Sequence, residues 1–411
     1  MAGVSRARPP EPDRAPPLCS RTVGGRMLVD ELGESPILSL IDRIFDLRQR
    51  GEEVLGLHIG EPDFDTPTGI RDAAARAMNE GLTHYVSAQG MPDLRRAIAE
   101  RLVSRHRIPA TADDVVVLSA KFAIYATLLS TLSPGDEVLL PDPTYLFDQP
   151  VRLAGGRPVY FPLRPDFSLD RDALESAVTA RSRLLVLVSP ANPTGRVMRR
   201  EEVKAALAVA RDHRLTVVSD ETYESLIYEG AHCAPASVAN GEVPVVTIGS
   251  FSKAYAMTGW RAGYAVAPPD VRGRLVKVME HTLTCLPPFV QRACLWALEN
   301  AGPDEARFRT TFRERRDHLL NRLDDLPGLT YVRPEGAFYV FPSYDVPMSS
   351  IEFAHRLLDE EHLALVPGVS FGPSGERHVR ISYSSPVAQL DDGMQRLGRF
   401  LDRHGARRGG R

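Results

Sequence analysis

Five short apolar runs in the middle of the chain constrain its fold most. They lie at 115–118, 137–140, 184–188, 215–218 and 243–248. Each is continuous rather than alternating, which is the pattern of a strand buried on both faces of a mostly parallel sheet. Helical stretches such as 201–213 separate several of them. The alternation predicts a doubly wound α/β domain. Each run also empties into polar residues: Ser119-Ala120-Lys121, Asp142-Pro143-Thr144-Tyr145, Ser189-Pro190-Ala191-Asn192, Ser219-Asp220 and Ser250-Phe251-Ser252-Lys253. In open α/β sheets ligands bind at the carboxyl ends of strands. Strand capping accounts for one or two such ends. It does not account for an acid, an amide, a lysine and an arginine converging on one edge.

The flanks read differently. Apolar spacing predicts a helix over 38–50, stopped by Gly51. A short strand over 54–59 runs into Gly60-Glu61-Pro62-Asp63, and a helix covers 92–105. After about residue 285 the expected order is a long charged helix (303–325), a segment containing Pro334 to Tyr339, a helix (351–358), a strand near 378–382 and a last helix (388–403). This describes a second, smaller α+β domain, with the first helix packed on it. The expected division is a tail at 1–30, a segment at 31–70 packing with the small domain, a large domain at 71–300 and a small one at 301–411.

Composition excludes several classes of function. The 411 residues are 43% hydrophobic and 25% charged, enough for one large core and a smaller one. A net charge of −3 gives no hint of nucleic acid or an anionic membrane as partner. No apolar run approaches the roughly 20 residues of a membrane helix. Cys19, Cys233, Cys285 and Cys294 form neither a CxxC pair nor a metal-binding spacing. They read as reduced thiols of a cytoplasmic protein, with no metal site. The tail carries Pro9, Pro10, Pro12, Pro16 and Pro17 and lacks the apolar core of a signal peptide, and Met27 is a candidate true start.

The segment Ser250-Phe251-Ser252-Lys253-Ala254-Tyr255-Ala256-Met257-Thr258-Gly259-Trp260-Arg261 says most about chemistry. A lysine that can shed its proton bonds covalently to a carbonyl as a Schiff base. Hydroxyls and an arginine nearby suit a phosphate, since guanidinium pairs two of its oxygens. A lysine beside a phosphate site suggests pyridoxal phosphate. Taken alone, Ser-x-Ser-Lys more often marks a solvated loop. The rest of the chain reverses that balance.

Motifs in a fixed order carry the resemblance: Gly60-Glu61-Pro62-Asp63-Phe64, Tyr85 to Gly90, Asn192-Pro193-Thr194-Gly195, Asp220 to Tyr223, Ser250 to Arg261, and Arg380. On these the chain resembles the class I/II aminotransferases of the pyridoxal-phosphate-dependent fold type I superfamily, over about residues 30–405. The resemblance implies a mostly parallel seven-stranded sheet in the large domain and transfer of an amino group between an L-amino acid and a 2-oxo acid. It implies that Lys253 holds the cofactor and then moves the substrate's α-proton. It places Asp220 opposite the pyridine nitrogen, keeping it protonated, and Tyr223 and Asn192 on the ring's 3′ oxygen. Ser250, Ser252, Arg261 and the backbone N–H groups of Ala120 and Lys121 fall to the phosphate, and Tyr145 to the ring face. Tyr85 resembles a residue reaching the phosphate of a neighbouring subunit, which implies a homodimer with shared sites. Gly60, Asn192 and Arg380 fall to the substrate, Arg380 as a two-pronged partner of its α-carboxylate.

The chain departs from the family at Ser119-Ala120-Lys121-Phe122, where a glycine-containing turn followed by a polar residue is usual. Phe122 is therefore expected to bear on substrate range more than on cofactor binding. β-Lyases, decarboxylases, cyclising synthases and amino acid oxidases share the scaffold and stand as the alternative activity. A cofactor-sensing transcription regulator would need an attached helix-turn-helix domain, and only the tail precedes the fold. No arginine clearly supplies a clamp for a second substrate carboxylate. His281 and Lys121 are the candidates.

Overall fold

The central sheet is built from β1 (Val115–Leu118), β2 (Glu137–Asp142), β3 (Arg157–Pro162), β4 (Ser182–Val188), β5 (Thr216–Asp220), β6 (Val245–Ser250) and β7 (Gly263–Val266). These strands belong to a computed structural model that describes residues 36–405 together with Val29, Leu32 and Gly33. The tail expected at 1–30, with Cys19 and Met27, lies outside the described residues apart from Val29. The strand order is β1-β7-β6-β5-β4-β2-β3. Every neighbouring pair is parallel except those of β7, which runs antiparallel to both β1 and β6.

The continuous apolar runs are explained by two covered faces. Val116, Leu118, Val186, Val218, Val246 and Ile248 point to one side, where helices Ala120–Thr131 and Pro269–Glu280 pack. Leu185, Leu187, Val217 and Val245 point to the other, against helix Arg200–Asp212. Each fully buried side chain of this size contributes about 1.5–3 kcal/mol, so neither face can be left polar. The five expected strands are all present. β3 and β7 were not anticipated. β3 is an edge strand that contains two prolines and is only partly buried. β7 is four residues of mixed size, Gly-Tyr-Ala-Val, too short to show a period.

The remaining chain forms a smaller α+β layer. Val379–Ser382 lies between Tyr339–Val340 and Val366–Pro367 in a three-stranded antiparallel sheet. Helices Gly302–Leu323, Ser350–Glu361 and Val387–Arg403 cover it, each within a few residues of expectation. Helix Pro36–Gln49 buries Leu40, Ile44 and Leu47 against Leu358 and Ala364. Only Leu55–Gly56 of the strand expected at 54–59 pairs, in parallel, with Leu363–Ala364. The helix expected at 92–105 is α-helical over Pro92–Arg101 and then loosens to a π-turn over Leu102–His106. Among the described residues no helix is long and apolar enough to cross a membrane, and Cys233, Cys285 and Cys294 are free.

Candidate active site

Strand register assembles the site. Leu118 of β1 and Ser250 of β6 both pair with Gly263, the first residue of β7. Because β7 is antiparallel, its start lies at the carboxyl ends of its neighbours, and Arg261 just before it arrives there too. One row inward, Asp220 pairs with Ile248 and Val188 pairs with Asp220. The fit is close: a Cβ on Gly263 would sit 2.7 Å from the Gly249 carbonyl oxygen and 2.9 Å from the Ala120 nitrogen. Only glycine lets the backbones approach so nearly at the start of helix Ala120–Thr131.

Lys253 lies in the single turn Phe251–Ala254, whose N-cap is Ser250, its hydroxyl accepting from the Ser252 N–H at 3.1 Å. The Lys253 Nζ donates to the Gly60 carbonyl oxygen at 2.6 Å. Burial pulls its pKa down to about 8; Glu61 and Asp220 oppose the shift, while Arg380 and Arg261 add to it. A lysine with so low a pKa has a substantial neutral fraction near neutrality, as a nucleophile or base requires.

Asp220 is buried at the end of β5, where it accepts from the Thr222 N–H at 3.0 Å. Burial raises its pKa, against the hydrogen bonds from Thr222 and the charge of Lys121. Among the described residues no cation forms an ion pair with it. Tyr223 follows on the same turn, also buried, with its hydroxyl 2.7 Å from that of Tyr339. Burial pushes the Tyr223 phenol well above its usual pKa.

Arg380, in the middle of the small sheet, reaches across to the large one. Its Nη1 donates to the Asn192 Oδ1 at 3.1 Å and its Nη2 to the His58 carbonyl oxygen at 2.7 Å. Its Nε is buried with no partner. The guanidinium lies 4.4 Å from the centre of the Tyr339 ring and 5.0 Å from that of Phe371. Asn192 is buried and precedes Pro193 through a cis bond.

Helix Ala120–Thr131 begins at Ser119, whose hydroxyl accepts from the Phe122 N–H at 3.3 Å. Its first turn leaves backbone N–H groups free, the usual setting for an anion. The Lys121 ammonium lies 4.9 Å from the centre of the half-buried Tyr145 ring. Phe122 packs against the core on that side of the sheet, its ring 6.4 Å from that of Tyr125. Arg261 is exposed, with φ of 56° and its Nη1 donating to the Thr258 carbonyl oxygen at 2.7 Å. A left-handed backbone at a non-glycine residue costs on the order of 1–3 kcal/mol, and such strain gathers at functional sites.

Two of the singled-out residues do not join this group. Tyr85 is 85% exposed. His281 is exposed at the end of helix Pro269–Glu280. One residue was missed. Tyr339 touches both Tyr223 and Arg380, whereas the sequence marks Pro334 to Tyr339 only as a segment of the smaller domain. Nothing in its local pattern distinguishes a core tyrosine from a site tyrosine.

A buried amine of low pKa, a buried carboxyl group with no ion pair, an arginine with an open Nε and a helix start at the sheet edge that Arg261 reaches suit covalent amine chemistry on an anionic ligand. Comparison with known proteins agrees. Residues 52–397 match the family model for aminotransferase class I and II. The aspartate aminotransferase of Pyrococcus abyssi is 38% identical over 88% of this chain and 95% of its own. Aromatic-amino-acid aminotransferase 2 of Thermococcus litoralis is 37% identical over 88% and 95%. The solved structure of aspartate aminotransferase from Thermus thermophilus with maleate superposes with a TM-score of 0.87 at 36% identity, covering 91% of this chain and 98% of that one. The chain belongs to the class I and II aminotransferase family. It has the fold type I architecture, and its activity is pyridoxal-phosphate-dependent transamination.

Proposed function

We propose that Lys253 is the covalent anchor and proton carrier of this aminotransferase, and that its amino donor is a dicarboxylic amino acid of the aspartate type. The observation that carries the first part is the depressed pKa of Lys253 within the electrostatic reach of Asp220, Arg261 and Arg380.

The residues present fit pyridoxal phosphate. Its aldehyde needs a neutral amine, which Lys253 offers. Its ring nitrogen is a cation when protonated, and Asp220 is a buried carboxylate lacking one. Its 3′ oxygen suits the Tyr223 hydroxyl and the Asn192 amide. Its phosphate suits Ser250, Ser252, Arg261 and the first N–H groups of helix Ala120–Thr131, at Ala120 and Lys121. Tyr145 is assigned to the ring face. Bound there, the cofactor supplies an electron sink for the carbanion left when the substrate loses its α-proton.

The protein's own groups do the rest. Lys253 Nζ takes the α-proton as base and returns a proton as acid. The Arg380 guanidinium grips the α-carboxylate, its free Nε providing a donor that no protein group uses. Gly60, whose carbonyl oxygen holds the Lys253 ammonium, lines the substrate space. The substrate assignment rests on the relatives named as aspartate aminotransferases and on Lys121 as a second cation beside Tyr145. The test is to add aspartate, alanine or phenylalanine to the holoenzyme and follow loss of its visible absorption. Aspartate is expected to act at the lowest concentration. No response to aspartate alongside a response to phenylalanine would overturn the substrate assignment.

Arg380→Lys keeps a charge but loses the planar fork. It is expected to raise KM for the amino donor roughly 10- to 100-fold and to leave cofactor affinity unchanged. Steady-state kinetics and a cofactor titration check this. An equal loss of cofactor binding would move Arg380 to the phosphate.

The enzyme is proposed to act in the cytoplasm, where thiols such as those of Cys233, Cys285 and Cys294 stay reduced, and as a homodimer in which Tyr85 completes the partner's phosphate site. Its exposure of 85% in the single chain supports this. Obligate interfaces of this kind are large and apolar. A subunit lacking Tyr85, co-expressed with one lacking Lys253, should regain part of the activity. The subunit lacking Tyr85 keeps its Lys253 and receives an intact Tyr85, so one site of the two is whole. Verified heterodimers with no recovery would show that Tyr85 has no role across subunits.

A further inference from the structure

We infer that Tyr339 is a positioning residue that joins the carboxylate grip of Arg380 to the hydroxyl of Tyr223. The inference rests on the assignments of Tyr223 and Arg380 above.

Three parts of the site meet on this one side chain. The Tyr339 hydroxyl lies 2.7 Å from that of Tyr223. The Arg380 guanidinium lies 4.4 Å from the centre of the Tyr339 ring. A Cβ on Gly60 would come within 2.6 Å of the Tyr339 hydroxyl. The glycine therefore lets the loop that receives the Lys253 ammonium pass directly over that hydroxyl. Tyr339 itself is 1% exposed and cannot shift toward solvent. The turn before it is held firmly. Ala337, at φ of 57°, has a carbonyl oxygen that accepts from both Tyr228 and Tyr383. Its N–H donates to the Leu226 carbonyl oxygen at 2.8 Å, on the segment that follows Tyr223.

The hydroxyl does separate work from the ring. A phenol has one proton to donate. If Tyr223 gives its proton to the cofactor's ring oxygen, Tyr339 must be the donor in the 2.7 Å contact. A donor behind Tyr223 polarises its O–H and strengthens the bond in front. Burial keeps both phenols protonated, with Tyr339 pushed up to about 12 against the charge of Arg380. The aromatic face acts on Arg380 instead. It holds the guanidinium by a cation–π contact, while Asn192 and His58 fix its edge.

The two functions separate by substitution. Tyr339→Phe keeps the ring and removes the hydroxyl. It is expected to raise the pKa of the holoenzyme's visible chromophore by roughly half to one pH unit. Its affinity for maleate, measured calorimetrically, and its KM should stay within about twofold. Tyr339→Leu removes both functions and should also weaken maleate about tenfold. An unshifted chromophore in Tyr339→Phe overturns the inference, as does equal maleate affinity in Phe and Leu variants with native melting behaviour. Tyr223→Phe is the control. If it shifts the chromophore and Tyr339→Phe does not, the inference about Tyr339 fails alone. If neither shifts it, the assignment of Tyr223 fails and takes the inference with it. Should the Leu variant not fold, the chromophore pKa of the Phe variant decides.

Discussion

Lys253→Ala is expected to lower kcat by about 10⁴-fold or more, because the covalent anchor and the proton carrier disappear together. The loss should not come from unfolding. Lys253 is held by one hydrogen bond to the Gly60 carbonyl oxygen, and its burial opposes its charge rather than stabilising it. Thermal melting of the apoprotein should therefore be unchanged or slightly improved. Cofactor should still bind, through the groups assigned to its phosphate and ring nitrogen, but without covalent attachment. The unmodified protein gives a second check. With the Lys253 pKa near 8, the amine is mostly ammonium below that pH and mostly neutral above it. The rate at which apoprotein captures pyridoxal phosphate should climb as pH rises towards about 8 and then level. More than about one per cent of wild-type turnover in Lys253→Ala, without added amine, would mean the assignment is wrong.

Asp220→Ala is expected to cost about 10³-fold in kcat, near 4 kcal/mol of transition-state stabilisation. A neutral pyridine is a poor electron sink, and Asp142, which also ends a strand of this sheet, is taken up by hydrogen bonds from Ser374. Asp220→Glu keeps the charge one methylene further out and should lose far less. The stability effect should have the opposite sign. Burial raises the folded-state pKa of Asp220, so its ionised form opposes folding. Asp220→Asn should then melt no lower than the wild-type apoprotein while turning over as poorly as the alanine variant. That pattern, stability kept and activity lost, separates a functional carboxylate from a structural one. A near-normal rate in either uncharged variant would reduce Asp220 to a strand cap.

Much of this site was legible because its signals are local. A continuous apolar run marks a doubly buried strand wherever it occurs, and Asp220 and Lys253 each stand at or just past the end of one. The Ser119 start of helix Ala120–Thr131 is likewise written in a few neighbouring residues. The edge strand β3 and the four-residue β7 carry no such signal, since prolines and mixed sizes hide the first and brevity hides the second.

The sequence by itself determined the strands that carry the site, their order along the chain and the residue types at their ends. Only the tertiary structure decided that β7 runs antiparallel, which brings Arg261 to the edge that holds Ser250 and Ala120. Only the tertiary structure put Arg380 beside Asn192 and Tyr339 against Tyr223, partners separated by 188 and 116 positions. The physical reason is range. Period, capping and turn chemistry act over a few residues and can be read from neighbours. Strand direction, the crossing of the two sheets and the direction of a buried side chain are fixed by packing between distant segments, where the pattern around a tyrosine is the same whether it fills a core or joins two halves of an active site.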